Sequence, residues 1–242
     1  MKYSIFIKQL FVVAKSKWLF YAIQGHVFSL ASFEIVSNLK KKTHGFKTII
    51  DVGANSGQFT GVISHFYSTA KIFAFEPIPN LYSKVEKKFK NNKNISVHNL
   101  ALGNEIGFIK FNQNEYGHVS SILDINKDNI HYPNEKLKQI DVEISTLDFF
   151  FKNKSILRPS LLKLDVQGYE LEALKGGVTI LKHIDYIIIE ANLEQLYQDQ
   201  PSFTELNKYL NDVGFELNGM LDFNLGSNKS YIEIDLLYKK CL

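Results

Sequence analysis

From residue 46 onward, short runs of β-branched and aromatic residues alternate with stretches of helical periodicity, and several runs close on an acid. Lys47–Val52, Lys71–Phe75, Ile95–Asn99, Leu161–Asp165 and Asp185–Glu190 read as strands, with helices expected over Ser56–Phe66 and Asn80–Asn91. Strands separated by helices must cross over, so they pair in parallel. The last two strands are largely apolar on both faces, as central strands covered from both sides are. The expected fold class is therefore α/β, a doubly wound and mostly parallel sheet.

The remaining elements are read with the same rules. A helix after Asp165 is expected to bury Leu171, Leu174, Val178 and Leu181, with Gly176–Gly177 weakening or bending it. Ser202-Phe-Thr-Glu205 has the form of a capping box and opens a helix that should stop at Gly214. Phe215–Met220 and Tyr231–Tyr238 read as strands of a closing hairpin. Ile140–Thr146 alternates apolar and polar residues, which predicts a half-exposed strand pairing with Gly107–Phe111. The polar stretch Asn112–Gln139 between them reads as a substrate lid, with a disordered excursion as the alternative.

The first 22 residues are rich in aromatic and aliphatic side chains, yet Lys8, Lys15 and Lys17 interrupt them and no small-residue cleavage site follows. An amphipathic helical cap is expected rather than an export signal, packed on the main domain or on a second subunit, with a membrane-surface helix as the alternative. The expected organisation is an N-terminal helical extension over 1–45, a single domain over 46–242, and a homodimer formed through the N-terminal helices. No uninterrupted apolar run is long enough for a transmembrane segment. A net charge of +3, with Arg158 the only arginine, counts against a nucleic-acid partner. The lone Cys241 fits a reducing, cytoplasmic setting.

The segment Asp51-Val-Gly-Ala-Asn-Ser-Gly57 lies where the first strand passes into the first helix, at the sheet edge where open α/β folds bind ligands. Gly53 and Gly57 permit a tight turn. A dinucleotide loop would carry a second glycine where this chain has Asn55, and the Asp51 carboxylate would repel a pyrophosphate while suiting an ammonium group. A purely structural turn is the alternative. Glu76, at the end of the second strand about 20 residues on, stands where an acid can accept hydrogen bonds from ribose hydroxyls. Its alternative is an exposed strand-end carboxylate. Ala101 and Leu102 are candidates to line an adenine, or are plain core residues.

The ordered set DVGANSGQF, FEP, NLALGNEIG, HVSSIL, STLDFF, LLKLDVQGYELEALKGG and IIIEAN resembles the FkbM family of methyltransferases across residues 48–192. The most specific part is the segment from Lys163 to Glu170. The resemblance implies a class I methyltransferase fold, Rossmann-like, with a seven-stranded sheet. It also implies S-adenosyl-L-methionine as methyl donor and O-methylation of a hydroxyl on a small molecule or sugar. A nicotinamide-dependent oxidoreductase on a similar fold and a non-catalytic S-adenosylmethionine-binding module are the competing classes.

Methyl transfer to oxygen needs two aligned reactants and a group that takes up the hydroxyl proton. In the strand order the resemblance implies, Asp165 lies beside Gly53 and Asn55, where it can touch the cofactor, accept the proton or hold the acceptor. Lys163, Glu170 and Glu190 are the other catalytic candidates, and a structural Lys163–Asp165 ion pair is the alternative. His118, Ser120 and Ser121 of the lid are candidates for cofactor or substrate contact, or belong to a solvated loop. No metal dependence is expected.

Overall fold

The computed structural model describes residues 29–114, 119–128, 137–226 and 229–241, and the expected helical segment before residue 29 lies outside them. Five parallel strands form the heart of the fold: β1 (Thr48–Val52), β2 (Lys71–Phe75), β3 (Ile95–His98), β7 (Ser160–Leu164) and β8 (Tyr186–Asn192). The hairpin β9 (Phe215–Leu225) and β10 (Tyr231–Lys240) completes a seven-stranded sheet in the order β3-β2-β1-β7-β8-β10-β9, with β10 antiparallel to both neighbours. The expected doubly wound, mostly parallel sheet is the one observed. A second, three-stranded sheet, β4 (Ala101–Leu102), β6 (Leu137–Ser145) and β5 (Gly107–Asn114), has β6 in the middle. The expected pairing of Ile140–Thr146 with Gly107–Phe111 appears there, with Phe111 opposite Ile140 and Gly107 opposite Ile144.

Strand pleating splits the core into two layers. Ile50, Val52, Leu162, Leu164, Ile187 and Ile189 face one side of the sheet, under α4 (Leu147–Phe151), α5 (Glu170–Lys175) and α6 (Phe203–Asp212). Ile49, Leu161, Ile188 and Leu237 face the other, where α1 (Leu30–Lys42) and α2 (Gln58–Phe66) supply Val36, Leu39, Val62 and Ile63. Each such side chain, fully buried, contributes about 1.5–3 kcal/mol of transfer free energy. α1 is thus built into the same core as β1. Its N-cap, Ser29, accepts from Ser32 N–H, and its last turn carries Lys40, Lys41 and Lys42, favourable to the helix dipole. Asn38 Nδ2 donates to the Leu221 carbonyl at 2.8 Å and Lys42 Nζ to the Asn218 carbonyl at 3.2 Å, which fastens α1 to β9.

Several sequence-based boundaries move for identifiable reasons. α2 starts at Gln58, not Ser56, because Asn55 and Gly57 both have positive φ (48° and 77°). α3 runs Pro79–Phe89 with proline in its first turn. The expected helix through Leu181 stops at Lys175 and is followed by a 3₁₀ turn over Ile180–His183, which leaves Val178 exposed rather than buried. Gly176 is the cause. A Cβ there would lie 1.9 Å from the Gly103 carbonyl oxygen, so the chain turns where it touches the smaller sheet. The Asp148 carboxylate then accepts from Thr179 N–H and Ile180 N–H and caps the 3₁₀ turn. The Ser202–Glu205 capping box forms as expected, and Gly214 ends that region at φ 86°. Among the described residues no helix is long and apolar enough to cross a membrane.

The close approach at Gly176 has a direct consequence. Gly176→Ala should lower the unfolding free energy by about 3 kcal/mol, the cost of overpacking against backbone that cannot move aside, read from the urea midpoint at unchanged m-value.

Candidate active site

The chain leaves β1 toward β2 on one side and returns through β7 on the other, so a crevice opens between the carboxyl ends of β1 and β7. Gly53 makes it possible for these ends to converge. It sits at φ 86°, and a Cβ there would lie 1.9 Å from the Asp165 carbonyl oxygen. The backbone is sewn together around it: Asp165 N–H donates to the Val52 carbonyl, and Gly53 and Ala54 N–H both donate to the Phe75 carbonyl. The Glu76 carboxylate accepts from Asn55 N–H and Ile78 N–H, each at 2.8 Å, and so braces both loops. Burial pushes its carboxyl up to about 8, against the pull of those two amides.

These elements enclose a cavity of about 590 Å³, within the range of small-ligand sites. Of the residues expected to form the site, Gly53, Asn55, Glu76, Ala101, Leu102, Ser120, Lys163, Asp165 and Glu190 line it. Four others do not. Asp51 is fully buried beneath α2, where it takes a 2.5 Å hydrogen bond from Thr60 Oγ1, so it cannot receive a ligand's ammonium directly. Gly57 packs the start of α2 against Val85 and Phe89 of α3. Ser121 Oγ donates to the Gln167 carbonyl at 2.6 Å and accepts from Leu123 N–H, which ties the 119–128 segment to the turn after β7. Glu170 is buried and accepts from Val166 N–H and Gly168 N–H, so it shapes that turn instead of facing the cavity; burial lifts its carboxyl to about 7. His118 lies outside the described residues.

A buried charge network forms the floor. Lys163 Nζ stands 2.8 Å from Asp165 Oδ2 and 3.9 Å from Asp51 Oδ1, with the Phe59 ring centroid 5.1 Å away. Burial alone would lower this ammonium's pKa, but Asp165 and then Asp51 hold it above the ordinary lysine value. Gln167, to which the sequence assigns no role, bridges two of the acids that line the cavity. Its Nε2 donates to Asp165 Oδ1 at 3.2 Å and to Glu190 Oε1 at 2.8 Å, while its Oε1 accepts from Tyr197 OH at 2.7 Å. It does this from φ 55°, a left-handed conformation unusual for a side chain of its size. Burial and then the Asp165 charge raise Glu190 well above the usual carboxylate range. Asn224 and Glu233 of the hairpin also line the cavity. Neither was expected from the sequence, because they lie some 60 positions beyond Asp165 in strands that read only as an edge.

The family model of the methyltransferase FkbM domain matches residues 51–217, which contain most of this site. The chain belongs to the FkbM methyltransferase family. Among similar curated proteins, methyltransferase 1 of Beauveria bassiana is 27% identical over 69% of this chain and 71% of its own length. The hexuronic acid methyltransferase AglP of Haloferax volcanii is 24% identical over 75% and 74%. The 2-O-methyltransferase NoeI of Sinorhizobium fredii is 24% identical over 69% and 71%. The fold matches that of M. capricolum TrmK, solved with S-adenosyl-homocysteine, at a TM-score of 0.52 and 12% identity, over 89% of this chain and 70% of that one. This FkbM protein is a methyltransferase with S-adenosylmethionine as cofactor, and the chemistry of its cavity fits that group. A carboxyl group ends β2, apolar Ile78, Ala101 and Leu102 line the same cavity, and Lys163 is the sole cation among the described lining residues, which suits a positively charged sulfonium.

Glu76, Glu170 and Asp235, held at about 8, 7 and 7, bind protons in the folded state that unfolded carboxyls release near their ordinary 3.8–4.5. The native state is the more protonated one, so stability should fall as pH rises from about 5 to 8, by on the order of 1 kcal/mol or more for each group. Urea midpoints across that range check this, and Glu76→Gln should flatten the slope.

Proposed function

We propose that this methyltransferase transfers the methyl group to a hydroxyl oxygen of a sugar or another small polyol. The observation that carries the reading is the Asp165 carboxylate at the mouth of the switch point, clamped by Lys163 on one oxygen and Gln167 on the other, beside the Gly53 turn. In this reading Glu76 receives the ribose hydroxyls, Ala101 and Leu102 flank the adenine, and Gly53, Asn55 and Ser120 border the rest of the cofactor. Asp51 acts at one remove, by holding Lys163. The bound cofactor supplies an electrophilic methyl group.

The protein's own part is positioning and proton transfer. Asp165, fixed at two points, meets the acceptor hydroxyl in one orientation and takes its proton as the oxygen turns nucleophilic. Glu190, tied to the same Gln167 amide, orients the acceptor from the neighbouring strand. The names of two relatives, a 2-O-methyltransferase and a hexuronic acid methyltransferase, favour an oxygen on a sugar-like acceptor. Asn55, where a dinucleotide loop would have glycine, argues against a nicotinamide cofactor. The enzyme would work in the cytoplasm, with residues 1–45 as a packing extension that also joins two copies and 46–242 as the methyltransferase domain.

Calorimetry should give heats for S-adenosylmethionine and its demethylated product and none for NAD. Glu76→Ala should weaken cofactor binding by about 1–3 kcal/mol, the cost of leaving buried hydrogen-bonding partners unsatisfied. Asp165→Asn should keep cofactor affinity within a few-fold while turnover of a hydroxyl acceptor drops about 10²–10⁴. A variant that turns over at the native rate would make Asp165 structural and move the base to Glu190.

A further inference from the structure

The cavity has two chemically different ends. The sheet order fixes which elements border each: β3, β2 and β1 on one side, β8, β10 and β9 on the other, with β7 and Asp165 between them. Glu76, Ala101 and Leu102 belong to the first end. The second is bordered by Glu190 of β8, Glu233 of β10 and Asn224 of β9. Strand register sets these side by side, with Glu190 opposite Asp235 and Glu233 paired to Asn224. Asn224 Nδ2 donates to Glu233 Oε2 at 3.0 Å, which aims a mostly buried carboxylate (8% exposed) from the hairpin.

We infer that the hairpin end of this cavity receives the acceptor, and that Glu190, Glu233 and Asn224 select a polyol that is neutral or carries an amine over one that carries a carboxylate or phosphate. The inference rests on the hydroxyl-methylation reading above and adds the acceptor's charge to it. Four acids line the described cavity, Glu76, Asp165, Glu190 and Glu233, against Lys163 as the sole cation among the described lining residues. That ammonium is already engaged by Asp165 and faces Asp51. The one arginine, Arg158, is paired with Asp185 outside the cavity lining. An anionic acceptor would therefore give up its hydration with no uncommitted cation among the described lining residues to receive it. Carboxylates accept hydrogen bonds from hydroxyls, and each carboxylate can hold two. Burial first, and neighbouring acids after it, displace Glu190 and Asp235 upward, and an incoming amine would offset the part due to those acids.

The test uses a neutral hexoside, its 2-amino analogue and its 6-carboxylate analogue, titrated into the full chain saturated with S-adenosylhomocysteine and followed by ligand-observed NMR. The neutral and amino compounds should bind at least about tenfold more tightly than the carboxylate, a difference of about 1.4 kcal/mol. Glu233→Gln should narrow that gap, and Asn224→Lys, at an exposed position, should raise carboxylate binding about tenfold. Equal or tighter binding of the carboxylate, or binding of none of the three, overturns the inference. Turnover with S-adenosylmethionine keeps the two readings apart. A carboxylate compound methylated on oxygen as fast as the neutral one refutes charge selection alone, whereas a methyl group found on the nitrogen of the amino compound refutes hydroxyl transfer alone.

Discussion

The active edge of this protein depends on one contact between two stretches of backbone. At Gly53 the end of β1 lies against the Asp165 carbonyl with no room for a side chain. That contact brings a lysine from β7 between an aspartate of β1 and one just past its own strand. The three charges, Asp51, Lys163 and Asp165, are stable together and costly apart, because a buried charge that loses its partner keeps its full desolvation penalty. Backbone convergence thus sets the electrostatics, and the electrostatics in turn orient the carboxylate that meets substrate.

Gln167 extends the same logic across the cavity. A single amide nitrogen has two hydrogens, and here both are used, one on Asp165 and one on Glu190. Two acids that would otherwise repel are held at a fixed separation by a neutral group, whose carbonyl oxygen is anchored by Tyr197, itself buried. The turn that presents Gln167 is shaped from beneath by Glu170 and from above by Ser121. Residues that first read as chemical candidates are therefore the frame that holds the chemistry still.

Much of the fold was legible because interior parallel strands are apolar on both faces, and runs such as Tyr-Ile-Ile-Ile cannot be much else. The glycine turn and Glu76 were legible because their spacing follows from one strand-helix-strand unit. Asp51 lies away from the cavity lining for a geometric reason: it is still within β1, and alternation sends its side chain under α2 while the edge of the sheet lies two residues on. Helical periodicity predicts a buried Val178, but the helix ends at Lys175, where Gly176 meets the backbone of Gly103 more than 70 positions away, and Val178 is exposed. Asn224 and Glu233 leave no local trace, since only the sheet order carries them to the cavity.

The hydrogen bonds that fasten α1 to β9 bear on how such an enzyme can change over time. The segment shared with the family, residues 51–217, holds the glycine turn, Glu76, Asp165 and Glu190. Ser29 and Ala31 at the start of α1, and Asn224 and Glu233 in the hairpin, also line the cavity, yet all four fall outside that segment. Helix and hairpin are joined to each other through Asn38 and Lys42, so they form one physical piece drawn from the two flanks of the chain. Substitutions in that piece can reshape one wall of the cavity without disturbing the packing that fixes Gly53 against Asp165. Ancestral duplicates could then diverge in what they accept while inheriting an unaltered donor half.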